Sequence, residues 1–279
     1  ADQLSIEVEA NGATESVEIT VEGEPPKVEN RAPYAANGDV SGDFFPLDAL
    51  RTEGTVVITA RPYGSDGASG TAGALATLRL AVEQPDHIVD TENDSSDLNP
   101  GDGICQAIAG QCTLRAAIEE SNAAPGRQYV ALGVPFGRHL LEDASQLSIE
   151  DDLTLRGEAL GRPIIDAQDR SRVINVDSST VGASPASVTI SNVHLTNGTG
   201  QGTGRGGGLR VVGSDSLVSM SNSVVSSNDA NIGGGVYVAS GARLNLTSSA
   251  ISDNTAGSPR GFGGGGITQR GGALANLRA

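Results

Sequence analysis

Two patterns of apolar and polar positions divide the chain. Over residues 1–84 apolar side chains recur at every second position: Leu4/Ile6/Val8, Val17/Ile19/Val21, Val56/Ile58/Ala60 and Leu78/Leu80/Val82. Gly, Pro, Asn or Asp bounds each stretch. Period two between turn residues predicts half-buried strands, and four of them at this spacing predict a small Ig-like antiparallel β-sandwich. Residues 85–103 are polar and turn-rich and read as a linker or entry loop. Next comes the single stretch of helical period, "CTLRAAIEESNAAPG". Leu114, Ala117, Ile118 and Ser121 share one face, Thr113 is placed to cap the N-terminus, and Asn122–Gly126 end the helix. A helix this short is marginal alone, so its apolar face must dock on something.

From Ser187 the pattern repeats itself. "VTISNVHLTNGTGQGTGRGGGLRVV", "LVSMSNSVVSSNDANIGGGVYVA" and "LNLTSSAISDNTAGSPRGFGGGGIT" each run strand, short strand, Gly-rich turn, strand. Leu195, Val225 and Ile251 correspond, followed by Asn197 or Gly198, then Asn228 and Asn254, and the turns at Gly207, Gly234 and Gly264. These lengths suit rungs of a parallel β-helix over 104–279. Its Asn side chains would bond one another along the axis, and glycine would supply left-handed backbone at the corners.

The residues around the cysteines carry a family resemblance. "DGIC…QCTLRAAIEESNAAPG" resembles the Cys-Ser-Leu-Arg-Glu-Ala motif domain of secreted and surface bacterial proteins, with Thr113 and Ala116 at the Ser and Glu positions. The resemblance extends over about residues 86–279. It implies a right-handed parallel β-helix with the helix lying across its open end as a lid and Cys105–Cys112 pinning the preceding loop. Within that frame Arg115 is expected as a buried guanidinium serving carbonyls of the first coil, in preference to a base or anion ligand. Two further segments are similar to known modules. "ENRAPYAANGD…TARPYG" resembles a sandwich module of large secreted bacterial proteins, and "VSSN…GGGV" resembles the short repeats of polymorphic outer-membrane proteins. The expected fold is therefore all-β: an N-terminal sandwich, then a helix-capped parallel β-helix.

Composition narrows the function classes. Of 279 residues, 34 are acidic and 18 basic, giving a net charge of −16, and a single lysine, Lys27, is present. Such a surface repels phosphate backbones, which makes nucleic acid a poor partner. No apolar run approaches the roughly 20 residues of a membrane span. Two cysteines seven positions apart suit a small disulfide loop in an oxidising compartment, whereas zinc would need two more soft ligands and the three histidines are scattered. The opening "ADQLSIEVEA" already alternates like a strand, so a signal peptide is expected to have preceded Ala1. At the other end "GGALANLRA" begins a new rung, which implies either a longer native chain or an end open for assembly.

Candidate chemistry is sparse. Tyr34, Phe45 and Tyr63 are candidate sugar-stacking rings, set against ordinary packing. Asp39, Asp43 and Asp66 are candidate weak calcium ligands without EF-hand spacing; no other cofactor is expected. An enzyme of this fold would need a basic residue beside a sugar carboxylate, or paired carboxylates on adjacent rungs. Asp151, Asp152, Asp166, Asp169, Asp177, Arg156, Arg170, Arg172 and His194 form no convergent set in the sequence. Asp229 and Asp253 fall near corresponding rung positions. The expectation is a secreted or surface structural or adhesive protein that binds extracellular polysaccharide or matrix. The alternatives are a polysaccharide lyase or glycosidase, and a self-associating filament subunit.

Overall fold

The computed structural model describes residues 6–40, 43–44, 53–133, 137–158, 161–178, 184–200, 204–257 and 264–278. The chain separates into two compact units, 1–84 and 85–279.

In the first unit Ser16–Val21 pairs antiparallel with Lys27–Glu29 on one side and with the long strand Gly54–Ser65 on the other. Gly54–Ser65 also pairs with Ala76–Val82 and Ser69–Ala72. Two short antiparallel ribbons, Glu7–Val8 with Tyr34–Ala35 and Asp39–Val40 with Asp43–Phe44, complete an arrangement consistent with a sandwich. Alternation behaves as expected in the two central strands, where Val17, Ile19 and Val21 meet Val56, Ile58 and Ala60 in one core. It holds less well at the periphery. Leu80 and Val82 pack against that core but Leu78, on the same face and paired with the buried Ile58, is 44% exposed.

The second unit is a parallel β-solenoid with three faces. The first face stacks His87–Val89, Gln128–Leu132, Leu153–Gly157, Ser187–Ser191, Leu217–Ser221, Arg243–Thr247 and Leu274–Arg278. The second stacks Arg138–Leu140, Ile164–Asp166, His194–Thr196, Val224–Ser226 and Ala250–Ser252. The third stacks Leu147–Ile149, Ile174–Asp177, Leu209–Val212, Val236–Val238 and Ile267–Gln269. Parallel pairing in register puts like over like. Val130, Leu155, Ile190, Met220 and Leu246 form one inward column, and Ile165, Leu195, Val225 and Ile251 another. A fully buried aliphatic side chain contributes about 1.5–3 kcal/mol, so these columns stabilise a core that has almost no aromatics.

The corners divide their left-handed backbone between glycine and short polar residues. Left-handed backbone falls on Asn192, Asn222 and Ser248 at one corner and on Asn197, Ser227 and Asp253 at the next, each with φ near +50°. Short polar side chains tolerate that region. At the third corner glycine supplies it, with φ +64° at Gly206 and +63° at Gly233, and the glycines that follow serve close approach. Leu209, Val236 and Ile267 share one row, so the equivalent of Gly207 and Gly234 is Gly265 and not Gly264. The added glycine in the last repeat had shifted the sequence alignment by one. A Cβ on Gly234 would collide with the carbonyl of Thr255. The Asn column does form: Asn228 Nδ2 donates to Asn254 Oδ1 (2.9 Å), and Gly198 N–H donates to Asn228 Oδ1 (2.8 Å). Gly198, not Asn197, is therefore its upper member. Asp229 lies opposite Thr255, so it does not stack with Asp253.

Residues 85–103 are not a linker. His87–Val89 adds a strand to the edge of the first face, and Val89, Thr91 and Asp97 are buried.

Two outcomes follow from this packing. Gly234→Ala should lower unfolding stability by about 1–3 kcal/mol, read by denaturant titration, because the backbone of the next coil must move. His139 heads the inward column of Ile165 and Leu195, and neither ring nitrogen has a hydrogen-bond partner. Burial depresses its pKa below 6.5, against the opposing charge of Glu92 and the nearby Thr91 backbone. The folded protein then binds this proton less readily than the unfolded chain, so its stability is intact above pH 6.5 and falls as pH drops through the folded pKa. His139→Leu should shrink the loss of thermal stability between pH 6.5 and 4.5. An unchanged slope would contradict this placement.

Candidate functional site

The helix, Leu114–Ala123, begins where Thr113 Oγ accepts from Ala116 N–H and donates to the Ser95 carbonyl. Its face of Leu114, Ala117 and Ile118 joins the core with Val89, Val130, Leu132, Leu147 and Ile149. It packs against the strands at 87–89, 128–132 and 147–149, which belong to the N-terminal end of the solenoid. Cys105 and Cys112 are disulfide-bonded. That bond fits an extracellular or otherwise oxidising environment. Among the described residues no helix is long and apolar enough to cross a membrane.

Carboxylates hold the loop before the helix. Arg115 forks onto Asp94 (2.8 and 3.0 Å) and also donates to the carbonyls of Ser145 and Gln146. Arg115 and Asp94 side chains are 6% and 3% exposed. Glu120, fully buried, accepts from the N–H groups of Gly101 and Gly103 (2.5 and 2.6 Å). Asp90 accepts from Cys112 N–H, and Asp97 from Asn99 and Gln106 N–H. Sequence reasoning placed the Arg115–carbonyl bonds but missed Asp94 and Glu120. Helical spacing could have flagged Glu120, which lies three and four positions after Ala117 and Ala116. Nothing local marks Asp94.

Beside the helix, on the outer surface of the third face, lies a polar groove of about 820 Å³. Its floor is the outward row Ser148–Asn175–Arg210, set by strand register. Asn122, from the end of the helix, forms a wall by donating to the Ser148 carbonyl and accepting from Glu150 N–H. Arg210 Nη1 donates to Asn175 Oδ1 (2.7 Å) and Asp177 Oδ2 (2.8 Å). Arg172, 3% exposed, donates to the carbonyls of Arg205 and Gly206 and to Gln146 Oε1. Burial, then the adjacent Arg210 charge, brings the Arg172 pKa down to about 10, against the pull of Asp177, and it stays charged at neutral pH. Fixed donors and acceptors of both signs, with only Ile118 and Leu147 as aliphatic lining, suit a ligand rich in hydroxyls.

The other sequence candidates are dispersed. Tyr34 is buried at 6% exposure, with its hydroxyl donating to the Thr14 carbonyl, so its ring is not offered to a sugar. Tyr63 is half-buried and donates to Glu18. Phe45 lies outside the described residues. Asp66 sits exposed in a turn whose carbonyl accepts from Ser69 Oγ. Asp39 and Asp43 are described only as a paired hairpin backbone. Among the described residues no group of three or more His, Cys, Asp or Glu could hold a metal ion. Asp166 is buried and accepts from Arg138, Gln168 N–H and Asn197. Burial alone would raise its pKa, but these donors together hold the carboxyl below its ordinary value. Asp151 and Asp152 accept backbone N–H groups in a turn, and Asp169 and Arg170 are exposed. His194 shares a hydrogen bond with Ser226 (2.7 Å), and burial lowers its pKa, aided by Arg138 and Arg162. Asp177 is the one candidate carboxylate that lines the groove.

Replacing Cys105 by Ser opens a loop closed over seven positions, and chain entropy gives a loss of about 2–3 kcal/mol. Equal melting temperatures with and without reductant would mean the bond does not restrain the cap. Asp94→Asn should cost more than a surface ion pair, about 3 kcal/mol or more, because it strands the Arg115 guanidinium away from water. Chemical denaturation reads that difference. No protein-family model, curated protein or solved structure matches this chain.

Proposed function

We propose that the protein is an extracellular scaffold with an adhesive role, a capped solenoid that holds a carbohydrate chain on its third face. The observation that carries this reading is the groove beside the cap, where side chains from the helix and from successive strands present hydrogen-bonding groups at fixed positions. Strands stack about 4.8 Å apart, so a groove on their outer surface offers polar groups at a regular interval to an extended polymer. The first face adds a second polar surface, with Thr189, Ser219, Asn245 and Asn276 in one outward row. The disulfide and the acidic surface suit life outside the cell. The resemblance of the segment around Arg115 to the motif domain of secreted and surface bacterial proteins points the same way.

Electrophoresis through native gels containing neutral or acidic polysaccharides tests the proposal. Retardation without loss of the polymer is the expected result. Depolymerisation of any of them would replace a scaffold by a lyase or glycosidase, and migration unaffected by every polymer would remove the carbohydrate role.

A further inference from the structure

The groove carries a more specific assignment, which rests on the carbohydrate reading above. Arg210 uses one corner of its guanidinium to bind the protein: Nη1 donates to both Asn175 and Asp177. The opposite edge is idle. Nε is screened from water and has no acceptor, and Nη2 makes no hydrogen bond among the described residues. An unpaired N–H in such a position is a cost that folded proteins ordinarily remove, at about 1–3 kcal/mol. Nη2, the member of that edge not screened from water, is open to a ligand, and a charge-assisted hydrogen bond from a guanidinium to a carboxylate is among the strong ones.

The surroundings favour an anion there. Arg172 lies close enough for its guanidinium to feel the charge of Arg210, and Asp177 is the acidic group that acts on Arg172 and bonds Arg210. Glu119 also borders the groove, but its two oxygens already accept from Ser96 Oγ and Asp97 N–H. Glu150 stands exposed at the rim. Two guanidinium groups held side by side are unusual on a chain of charge −16. A ligand with one carboxylate among many hydroxyls matches this distribution, since Asn175, Ser148 and Glu150 are placed to meet the hydroxyls. We propose that the groove binds a uronic-acid residue of an acidic polysaccharide, with the sugar carboxylate on Nη2 of Arg210 and Arg172 as the second positive charge.

Binding is measured by gel retardation and calorimetry with polygalacturonate, its fully methyl-esterified form and neutral dextran. The proteins compared are wild type, Arg210→Gln, Arg210→Lys and, as a charge-matched control outside both polar surfaces, Arg270→Gln at an exposed arginine. Polygalacturonate should bind wild type and the control alike. Esterification or Arg210→Gln should weaken binding roughly tenfold or more, the worth of a charged hydrogen bond. Arg210→Lys should recover only part of it, because a single ammonium keeps the charge but cannot hold Asn175 and Asp177 from one corner while presenting a fixed donor to the ligand from another. Free galacturonate should compete and acetate at the same concentration should not. Equal binding of the ester or of dextran, or an unaffected Arg210→Gln protein with native circular dichroism, would overturn the uronate assignment and leave a neutral-glycan scaffold standing. Displacement by acetate as readily as by galacturonate would overturn the sugar as the ligand. Binding of no polymer at all would end both readings.

Discussion

Parallel strands stacked in register make each coil depend on its neighbours, and the first coil has a neighbour on one side only. Its exposed edge is a row of unpaired N–H and C=O groups and an apolar column open to water. The segment 86–123 answers both needs at once. His87–Val89 hydrogen-bonds along the first face, and Leu114, Ala117 and Ile118 cover the columns that begin at Val130 and Leu147. Because the helix is too short to be stable alone, the loop around it must be held as firmly as the helix itself. That explains why so many carboxylates point inward in a cap of modest size.

Those carboxylates act through backbone N–H groups more than through ion pairs. Glu120, Asp90 and Asp97 each accept from loop amides, whereas Arg115–Asp94 is the one buried ion pair of the cap among the described residues. Loop amides need partners once a cap excludes water, and a carboxylate serves two or more of them. The same logic governs Asp166, which gathers Arg138, the Gln168 amide and Asn197 at a solenoid corner. Asp166, an acid weighed among the catalytic candidates, is a corner fastening in space. The groove differs in kind, because Arg210 keeps an edge for which the fold supplies no acceptor.

Much of this architecture is legible before folding, and particular residues show where legibility stops. The helix, its Thr113 cap and its docking face follow from spacing, as does the correspondence of Leu195, Val225 and Ile251, which are neighbours across two strand pairs. Register failed where insertions blur it. Gly265, not Gly264, pairs with Gly234, and Asp229 meets Thr255. Of the two readings of residues 85–103, the linker failed and the entry loop stands for the stretch after Val89: its polar composition records bonds to the cap, not exposure to solvent. The groove was invisible as a site, since Ser148, Asn175 and Arg210 lie in three strands with no shared local signature.

By itself, then, the sequence determined the repeat, the inward columns and the helix with its Thr113 N-cap, because periodicity and helix capping act between residues close in the chain. The tertiary structure alone decided which polar groups face one another, that Arg115 meets Asp94, that Tyr34 is packed away, and that Arg210 is left with a free edge beside Arg172. Those outcomes depend on how far each coil advances before the next strand begins. The loops between strands vary in length, so only the completed stack of parallel strands places such residues side by side.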